Sequence, residues 1–522
     1  GFCKQPIYGK VNSVCLEGLP LLELGDGASI RYSHDGLERC NDRSPANIIF
    51  SSFGNNVSYH RGCIHNELVA LHNRHLTATI SRDDQYIRRV LSDRFKTYDF
   101  NVERISYREV AEGYHGAKRK IYKQALYDLT TYGLNARDCR VKAFIKDEKT
   151  PIYDIHTKPP RAIQYRSPKF NLVVASYLKP LEEAFYNLPG YGPSKSRVVT
   201  KGLNKKQLAE LLLTKSECFQ NPVYIELDHS RFDSTISETM LKKEHKFYVD
   251  KFKDRSLANL LRHQINNKGI TRNGIFYKVR GTRMSGDYNT GLGNSLINRA
   301  VIEYMVKDIK HELMVDGDDS VLIVEAADLG FFDPEHFVRL GLKTKINYKT
   351  RLETVDYCRC RIILSSRVMA RDPARIFTNL GTCTRKYGPM GFIYWLNACF
   401  ACEYYSNPGM PLVNVFKPFT KMKWLKDNDF YRKMEQFVYG DFVIDRLGYW
   451  QTWGITPDMQ VLLESQLTTI LVNYIEIQNV PIARSTLLSI REKIAKHVDD
   501  RSRTAPPDLD ECRIRLGQER LE

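Results

Sequence analysis

The sequence predicts an α+β protein in which a short antiparallel sheet carries the chemistry and a mostly helical region follows. Three observations predict it. The apolar, β-prone run Val223-Tyr224-Ile225-Glu226-Leu227 ends on Asp228. Two further runs, Leu313-Met314-Val315 and Val321-Leu322-Ile323-Val324, flank Gly317-Asp318-Asp319, which reads as a hairpin with its carboxylates at the turn. From about residue 366 the pattern becomes mainly helical.

The remaining elements follow in chain order. Residues 1 to about 50 are rich in Gly, Ser and Asp and weakly periodic. Leu68, Leu71 and Leu76 mark helical spacing between His65 and Lys96, and Tyr107 to Thr131 is basic and helical in pattern. Arg140 to Lys149 alternates like a strand, a Pro159-Pro160 stretch follows, and helices are expected over 170–188 and 204–215. Glu238 to Lys253 reads as a helix with Leu241, His245 and Tyr248 along one side. Residues 255–283 are basic, with a hairpin expected at Asn273-Gly274. Thr290 to Lys310 reads as a long helix burying Leu292, Leu296, Val301 and Met305. Gly291 and Gly293 each disfavour that helix by about 1 kcal/mol relative to Ala, so something is expected to pack closely there. Residues 328–340 look helical and 341–364 like short strands. Later turns fall at Gly381, Pro389, Pro408 and Pro457, and a charged tail, 501–522, is expected to be mobile. There are no internal repeats.

At 522 residues and 42% apolar composition the chain can bury a large core. No run of about 18 apolar residues occurs, so no membrane span is expected; Met390 to Cys402 is too short and reads as a buried helix. Lys and Arg outnumber Asp and Glu by 78 to 61, a surplus that suits a polyanionic partner. It is concentrated between Arg137 and Lys179, with ten basic and four acidic residues. The 12 scattered cysteines fit a reducing compartment. Cys399 and Cys402 form a CxxC inside an apolar run, and Cys40, His60, Cys63 and His65 could supply zinc ligands in a spacing that matches no standard finger. The chain opens on Gly1, which suggests a piece of a longer or processed product.

If the Asp228 strand and the hairpin are neighbours, Asp228, Asp318 and Asp319 meet at one end of a sheet. Carboxylates so grouped hold Mg²⁺, and two such ions about 3.5–4 Å apart are the core of nucleotidyl transfer. The plainer reading of Gly317-Asp318-Asp319 is a surface turn. Between the two motifs lies Arg283-Met284-Ser285-Gly286-Asp287-Tyr288-Asn289-Thr290-Gly291-Leu292-Gly293-Asn294. Thr290 and Asn294 share a helical face, and Asp233 with Asn294 could hold a ribose 2′-hydroxyl; the plainer reading is a helix cap at Ser285 or Asp287 with Asn294 packed. Lys146, Lys149, Arg161 and Arg166 are candidates for a triphosphate, or else a solvated basic face.

The order and wording of these motifs resemble the RNA-dependent RNA polymerases of positive-strand RNA viruses, specifically the tombusvirus-like group. The matching phrases are Lys142 to Lys149, Pro160 to Asn171, Leu178 to Glu182, Lys201 to Asn204, Asp228 to Asp233, Glu244-His245, Arg283 to Asn294, Gly317 to Asp319 and Tyr357-Cys358. The resemblance spans roughly residues 60–375. It implies a closed right hand: an N-terminal extension bridging fingers and thumb (1–90), fingers (91–222 and 251–283), an antiparallel palm (223–250 and 284–364) and a helical thumb (365–500).

It also implies roles. Asp228, Asp318 and Asp319 would hold two Mg²⁺, with Mn²⁺ able to substitute. Asp233, Ser285, Thr290 and Asn294 would select the ribose. Arg161 would contact the incoming triphosphate, with Lys146 and Lys149 along its path. Lys345, with Lys343 as runner-up, would protonate pyrophosphate. Tyr357-Cys358 would fall at the primer grip. Implied partners are template and nascent RNA, nucleoside triphosphates, a viral replication co-factor protein and host factors. The implied location is host cytoplasm at membrane-associated replication complexes, the anchor lying upstream of a readthrough junction. His229, Tyr165 and Arg359 depart from the common pattern without removing a metal ligand. Thumb aromatics Tyr394, Trp395, Tyr404 and Tyr405 could stack a first nucleotide in primer-free initiation, or pack a core, the plainer reading. Two rivals stay open at this stage. A reverse transcriptase would exclude the 2′-hydroxyl that Asp233 and Asn294 suit, and a catalytically dead RNA-binding factor would not need the three aspartates.

Overall fold

The computed structural model describes residues 8–11, 13–33, 47–50, 57–384, 387, 389–407, 409–422 and 443–477. Cys40, Pro408 and the charged tail 501–522 lie outside the described residues. The chain divides into two compact units, Lys10–Asn47 with Asn56–Arg359, and Gly1–Gly9 with Ile48–Asn55 and Cys360–Glu522.

In the first of these, the β-prone run before Asp228 forms the strand Pro222–His229, with Val223 to Leu227 buried without interruption. Such a run needs cover on both faces. It pairs antiparallel with Asp319–Glu325 on one side and Thr344–Lys349 on the other, and His311–Asp316 completes a four-stranded sheet. The helix Thr290–Met305 packs beside it, buried continuously from Leu292 to Glu303. One large core joins the sheet to this helix and to Asp84–Phe95, Pro168–Tyr186, Glu238–Phe252 and Arg255–Ile265. Ser237 and Asp254 start the last two helices by accepting from the amides of Met240 and Ser256.

A second sheet has five strands in the order Ser29–Arg31, Phe276–Arg280, Asn266–Thr271, Val141–Ile145 and Ala162–Tyr165. The expected hairpin is present, with Gly274 at φ 91°. Val141–Ile145 joins Asn266–Thr271 in parallel, which brings the basic segment 137–179 into the same sheet.

Some expectations need adjustment. The expected helix at 107–131 is two, Tyr107–Glu112 and Gly116–Tyr132. The helix at 290 stops at Met305, not Lys310. Only one strand, Thr344–Lys349, extends the first sheet after residue 341, and Cys360–Ile363 pairs instead with Val368–Arg371 in the other unit.

That other unit continues as helices Pro373–Leu380, Pro389–Ser406, Arg446–Trp453 and Pro457–Ile477. Its core includes Phe392, Leu396, Phe400, Phe416, Phe419 and Tyr404, with Trp395 and Tyr405 packed against it. The plainer reading, core packing, therefore accounts for those three aromatics, while Tyr394 is half-buried. Cys402 is buried, which pushes its thiol up and away from the thiolate a metal needs. Among the described residues no helix is long and apolar enough to cross a membrane.

Candidate catalytic site

Strand register does most of the assembly. Asp319 is the direct cross-strand partner of Asp228, and Asp316 is that of Asp319. On the far side of the same strand, Lys345 is the partner of Asp228 and Thr344 that of His229. Directly opposed residues share a face. Asp228, Asp319 and Lys345 therefore stand in a row across three strands, with Asp318 at the adjoining turn.

The turn is held from the neighbouring helix. Gly317 takes φ 68°, the left-handed geometry that glycine adopts at low cost in a two-residue hairpin loop. Its amide donates to Ser295 Oγ at 3.0 Å. Asn298 Nδ2 donates to the Gly317 and Asp318 carbonyls at 3.0 and 3.3 Å. Asn298 Oδ1 lies 3.0 Å from His229 Nε2, and His229 Nδ1 lies 2.8 Å from Thr344 Oγ1. The unusual His229 thus ties the Asp228 strand to the hairpin turn and to the Lys345 strand. Burial lowers its pKa to about 4, so it is neutral at pH 7.

The carboxylates perturb one another. Asp319 is pushed up to about 6, by desolvation first and then by Asp318, Asp316 and Asp228. Asp318 is also raised, by desolvation and by Asp233 and Asp228, against an opposing effect of Arg161. Carboxylates that repel one another in this way are the hard oxygen donors that a divalent cation such as Mg²⁺ or Mn²⁺ takes.

After the strand, Arg231 takes φ 54° and the chain turns back through Phe232–Thr235, returning Asp233 toward the site. Asn294 Nδ2 donates to Asp233 Oδ1 at 2.8 Å. Asn294 Oδ1 accepts from Arg283 Nε at 3.0 Å, and Arg283 Nη1 donates to Glu244 at 2.9 Å. Glu244 also accepts from Asn289 at 3.0 Å and Tyr248 at 2.9 Å. The buried Arg283–Glu244 pair thereby fixes the rotamer of Asn294, and a Cβ on Gly293 would come within 2.4 Å of both groups. A Cβ on Gly291 would meet Lys201 Cε at 2.9 Å. These are the close contacts the two glycines foretell.

Other candidates divide. Ser285 Oγ accepts from the Gln164 amide at 3.2 Å and donates to the Ala162 carbonyl at 3.3 Å, beside Arg161. The Thr290 hydroxyl is turned onto the Met284 and Asp287 carbonyls, both at 2.9 Å. Lys146 and Arg161 stand at adjoining strand ends and share Glu148, at 3.8 and 3.3 Å. Lys149 is half-buried in the same connection. Tyr357 is buried, its hydroxyl 2.7 Å from Thr200 Oγ1, and Cys358 follows at φ 50°.

Arg166 is a correction. Its side chain is fully buried against Asp287 and also donates to the carbonyls of Cys139 and His263, at 3.0 and 2.7 Å, and to Asn267. With its donors so engaged it cannot reach a triphosphate. The cap expected at Asp287 fails for the same reason, and Asn289 starts the helix.

Sequence reasoning missed Arg74. Desolvation, then Arg161 and Arg231, lower its pKa to about 10, while Glu148 and Asp233 act against them. It therefore lies among the Arg161 and Asp233 groups, though it comes from a far upstream π-helical turn, Leu71–His75. His75 supports it by accepting from the Ala162 amide at 2.9 Å. Lys201, quoted in the sequence only within a matching phrase, pairs with Asp316.

The chain belongs to the viral RNA-dependent RNA polymerase family, whose model, described as "Viral RNA dependent RNA polymerase", matches residues 32–473. The RNA-directed RNA polymerase of oat chlorotic stunt virus is 32% identical over 405 residues, 69% of this chain and 53% of that protein. That of tobacco necrosis virus (strain A) is 32% identical over 384 residues, 67% and 52%. The putative RNA-directed RNA polymerase of barley yellow dwarf virus (isolate MAV) is 29% identical over 525 residues, 91% and 58%. The chain spans a little over half the length of these relatives.

Proposed function

We propose that the chain is a nucleotidyltransferase that synthesises RNA on an RNA template, consuming nucleoside triphosphates, releasing pyrophosphate and replicating a positive-strand viral genome. The observation that carries this reading is the cross-strand pairing of Asp228 with Asp319, beside Asp318, in a chain of this family.

In this reading the four-stranded sheet is the palm (223–250 and 284–364), four strands of the five-stranded sheet belong to the fingers (91–222 and 251–283) and its edge strand Ser29–Arg31 to the N-terminal extension, and residues 365–500 form the thumb. Residues 1–90 are the N-terminal extension and 501–522 a tail. Asp228, Asp318 and Asp319 hold two Mg²⁺, or Mn²⁺. Such ions, when bound, neutralise charge on the attacking and leaving oxygens.

The chain's own residues do the rest. Arg161, with Lys146 and Lys149 behind it and Arg74 beside it, orients the triphosphate by fixed positive charge. Asp233 and Asn294 recognise the 2′-hydroxyl, which donates to the carboxylate and accepts from the amide. Ser285 and Thr290 hold the turn that presents Asn294. Lys345, on the Asp228 row, delivers a proton to the departing pyrophosphate. Tyr357 and Cys358 form the primer grip. The chain works in host cytoplasm at membrane-associated replication complexes, reached through upstream sequence or partners, with a viral replication co-factor protein and host factors.

Incorporation of labelled ribonucleotides by the purified chain tests this, with and without RNA template and divalent ion. Synthesis that needs both supports the reading; incorporation indifferent to template contradicts it.

A further inference from the structure

The sequence groups Cys40, His60, Cys63 and His65; Cys40 lies outside the described residues, and the fold divides the other three. His60 is spent on the Ile155 carbonyl, 2.9 Å from its Nε2. Cys15, nearly fifty residues upstream, takes a place beside Cys63 with the two sulfurs 3.5 Å apart. A ring nitrogen of His65 joins them, so that one ligand atom from each residue lies within 4.8 Å of the other two. Tetrahedral zinc, with Zn–S about 2.3 Å and Zn–N about 2.0–2.1 Å, sets its ligand atoms about 3.4–3.8 Å apart. The cluster is within about an ångström of that spacing.

His65 supplies a second, independent sign. Its Nδ1 is buried with no hydrogen-bond partner among the described residues. Its Nε2 lies 3.9 Å from the Glu17 carboxylate. A zinc-bound imidazole uses one nitrogen on the metal and commonly turns the other toward a carboxylate, which fixes the ring. An orphaned buried nitrogen is costly otherwise.

The backbone around the cluster is held without any metal. Val14 donates to the Tyr59 carbonyl at 2.9 Å and Arg61 to the Val14 carbonyl at 2.8 Å. The buried Asn66 accepts from the Leu16 amide at 2.8 Å and donates to the carbonyls of Val14 and Arg61, at 2.7 and 2.9 Å. Cys15 and Cys63 are thus fixed on adjacent segments and need only small side-chain rotations to converge.

The geometry points to a zinc site to which Cys15 Sγ, Cys63 Sγ and His65 Nδ1 contribute three ligands among the described residues. Binding takes up one Zn²⁺ as both thiols lose their protons to solvent, giving two Zn–S bonds and one Zn–N bond. The site staples the segment around Cys15 to the helix Ile64–Ala70, whose continuation carries Arg74 and His75.

The test uses the full chain, expressed with added Zn²⁺ and purified without chelator. Elemental analysis should find about one zinc per chain. Cobalt substitution should give a thiolate-to-cobalt charge-transfer band and tetrahedral ligand-field bands. Cys15→Ser and His65→Ala should lose zinc and band, while Cys218→Ser keeps both. To separate ligand loss from misfolding, wild-type protein is also titrated with a thiol-specific mercurial; zinc should appear on a chromogenic chelator as two thiols are consumed. Zinc below about a tenth of an equivalent, a Cys15–Cys63 disulfide in a non-reducing peptide map, or zinc retained by both ligand variants would each overturn the proposal.

Discussion

Asp228 and Asp319 are direct partners on adjacent antiparallel strands, so two negative charges face each other at the open end of a buried sheet. Like charges in that relation oppose folding unless a cation lies between them. A substitution that removes one charge should therefore separate stability from function.

Asp319→Asn is expected to raise the melting temperature of the metal-free chain at pH 7–8 and to weaken Mn²⁺ binding. The sign follows from Asp319, whose carboxyl lies at about 6 against an ordinary 3.8. Deprotonating it works against the fold, so its contribution to stability is lost as pH rises through about 6. Metal binding needs the deprotonated form and should weaken as pH falls below that value. Thermal scans and Mn²⁺ titrations across pH 5–8 check both; a variant less stable than wild type without metal would contradict the repulsion.

The Asn294–Asp233 hydrogen bond, 2.8 Å long, gives a specificity prediction. Asn294→Ala should cut the preference for ribo- over deoxynucleotides by about 10- to 100-fold, the worth of one or two hydrogen bonds near a charged group. Ratios of kcat/KM for matched nucleotide pairs measure it. An unchanged ratio would move ribose selection elsewhere.

Local signals exposed the strand into Asp228, the hairpin and the tight packing at Gly291 and Gly293, because turn chemistry and side-chain period act within a few residues. What stayed hidden depends on long-range pairing. Arg166 looks like any other arginine of its basic segment until Asp287 is seen closing on it. Arg74 reaches the Arg161 cluster only because a π-helical turn packs under the Ala162 strand. Cys15 meets Cys63 through a bridge between Val14 and His60 that no spacing rule encodes. The hydroxyl of Thr290 is on the expected helix face but is taken by its own turn.

Gly293→Ala should destabilise the chain by about 2–4 kcal/mol, since the new methyl strikes the buried Arg283–Glu244 pair. Gly330, with nothing within 4 Å of a built Cβ, is the control, and Gly330→Ala should stay within about 0.5 kcal/mol. Denaturant unfolding of both variants decides; equal midpoints would contradict the packing account.

Acid should weaken the fold before it protonates most carboxylates. Burial lowers His229, His245 and His336 to about 4 and His75 to about 3, from an ordinary 6.5. Groups with depressed folded pKa values contribute stability that is present above 6.5 and lost as pH falls toward 4, because the unfolded chain takes up the protons first. Urea midpoints should drop steadily between pH 7 and pH 4. His229→Asn should flatten part of that slope, and a slope equal to wild type would show that His229 is not buried neutral.

The most direct measurement is RNA-templated primer extension by wild type and Asp318→Ala, with template affinity measured in parallel. Wild type should show divalent-ion-dependent synthesis, and Asp318→Ala should lose at least about 10³-fold of it while binding template equally. Synthesis retained by Asp318→Ala, or a wild type that binds template and makes no RNA with Mg²⁺ or Mn²⁺, would contradict it.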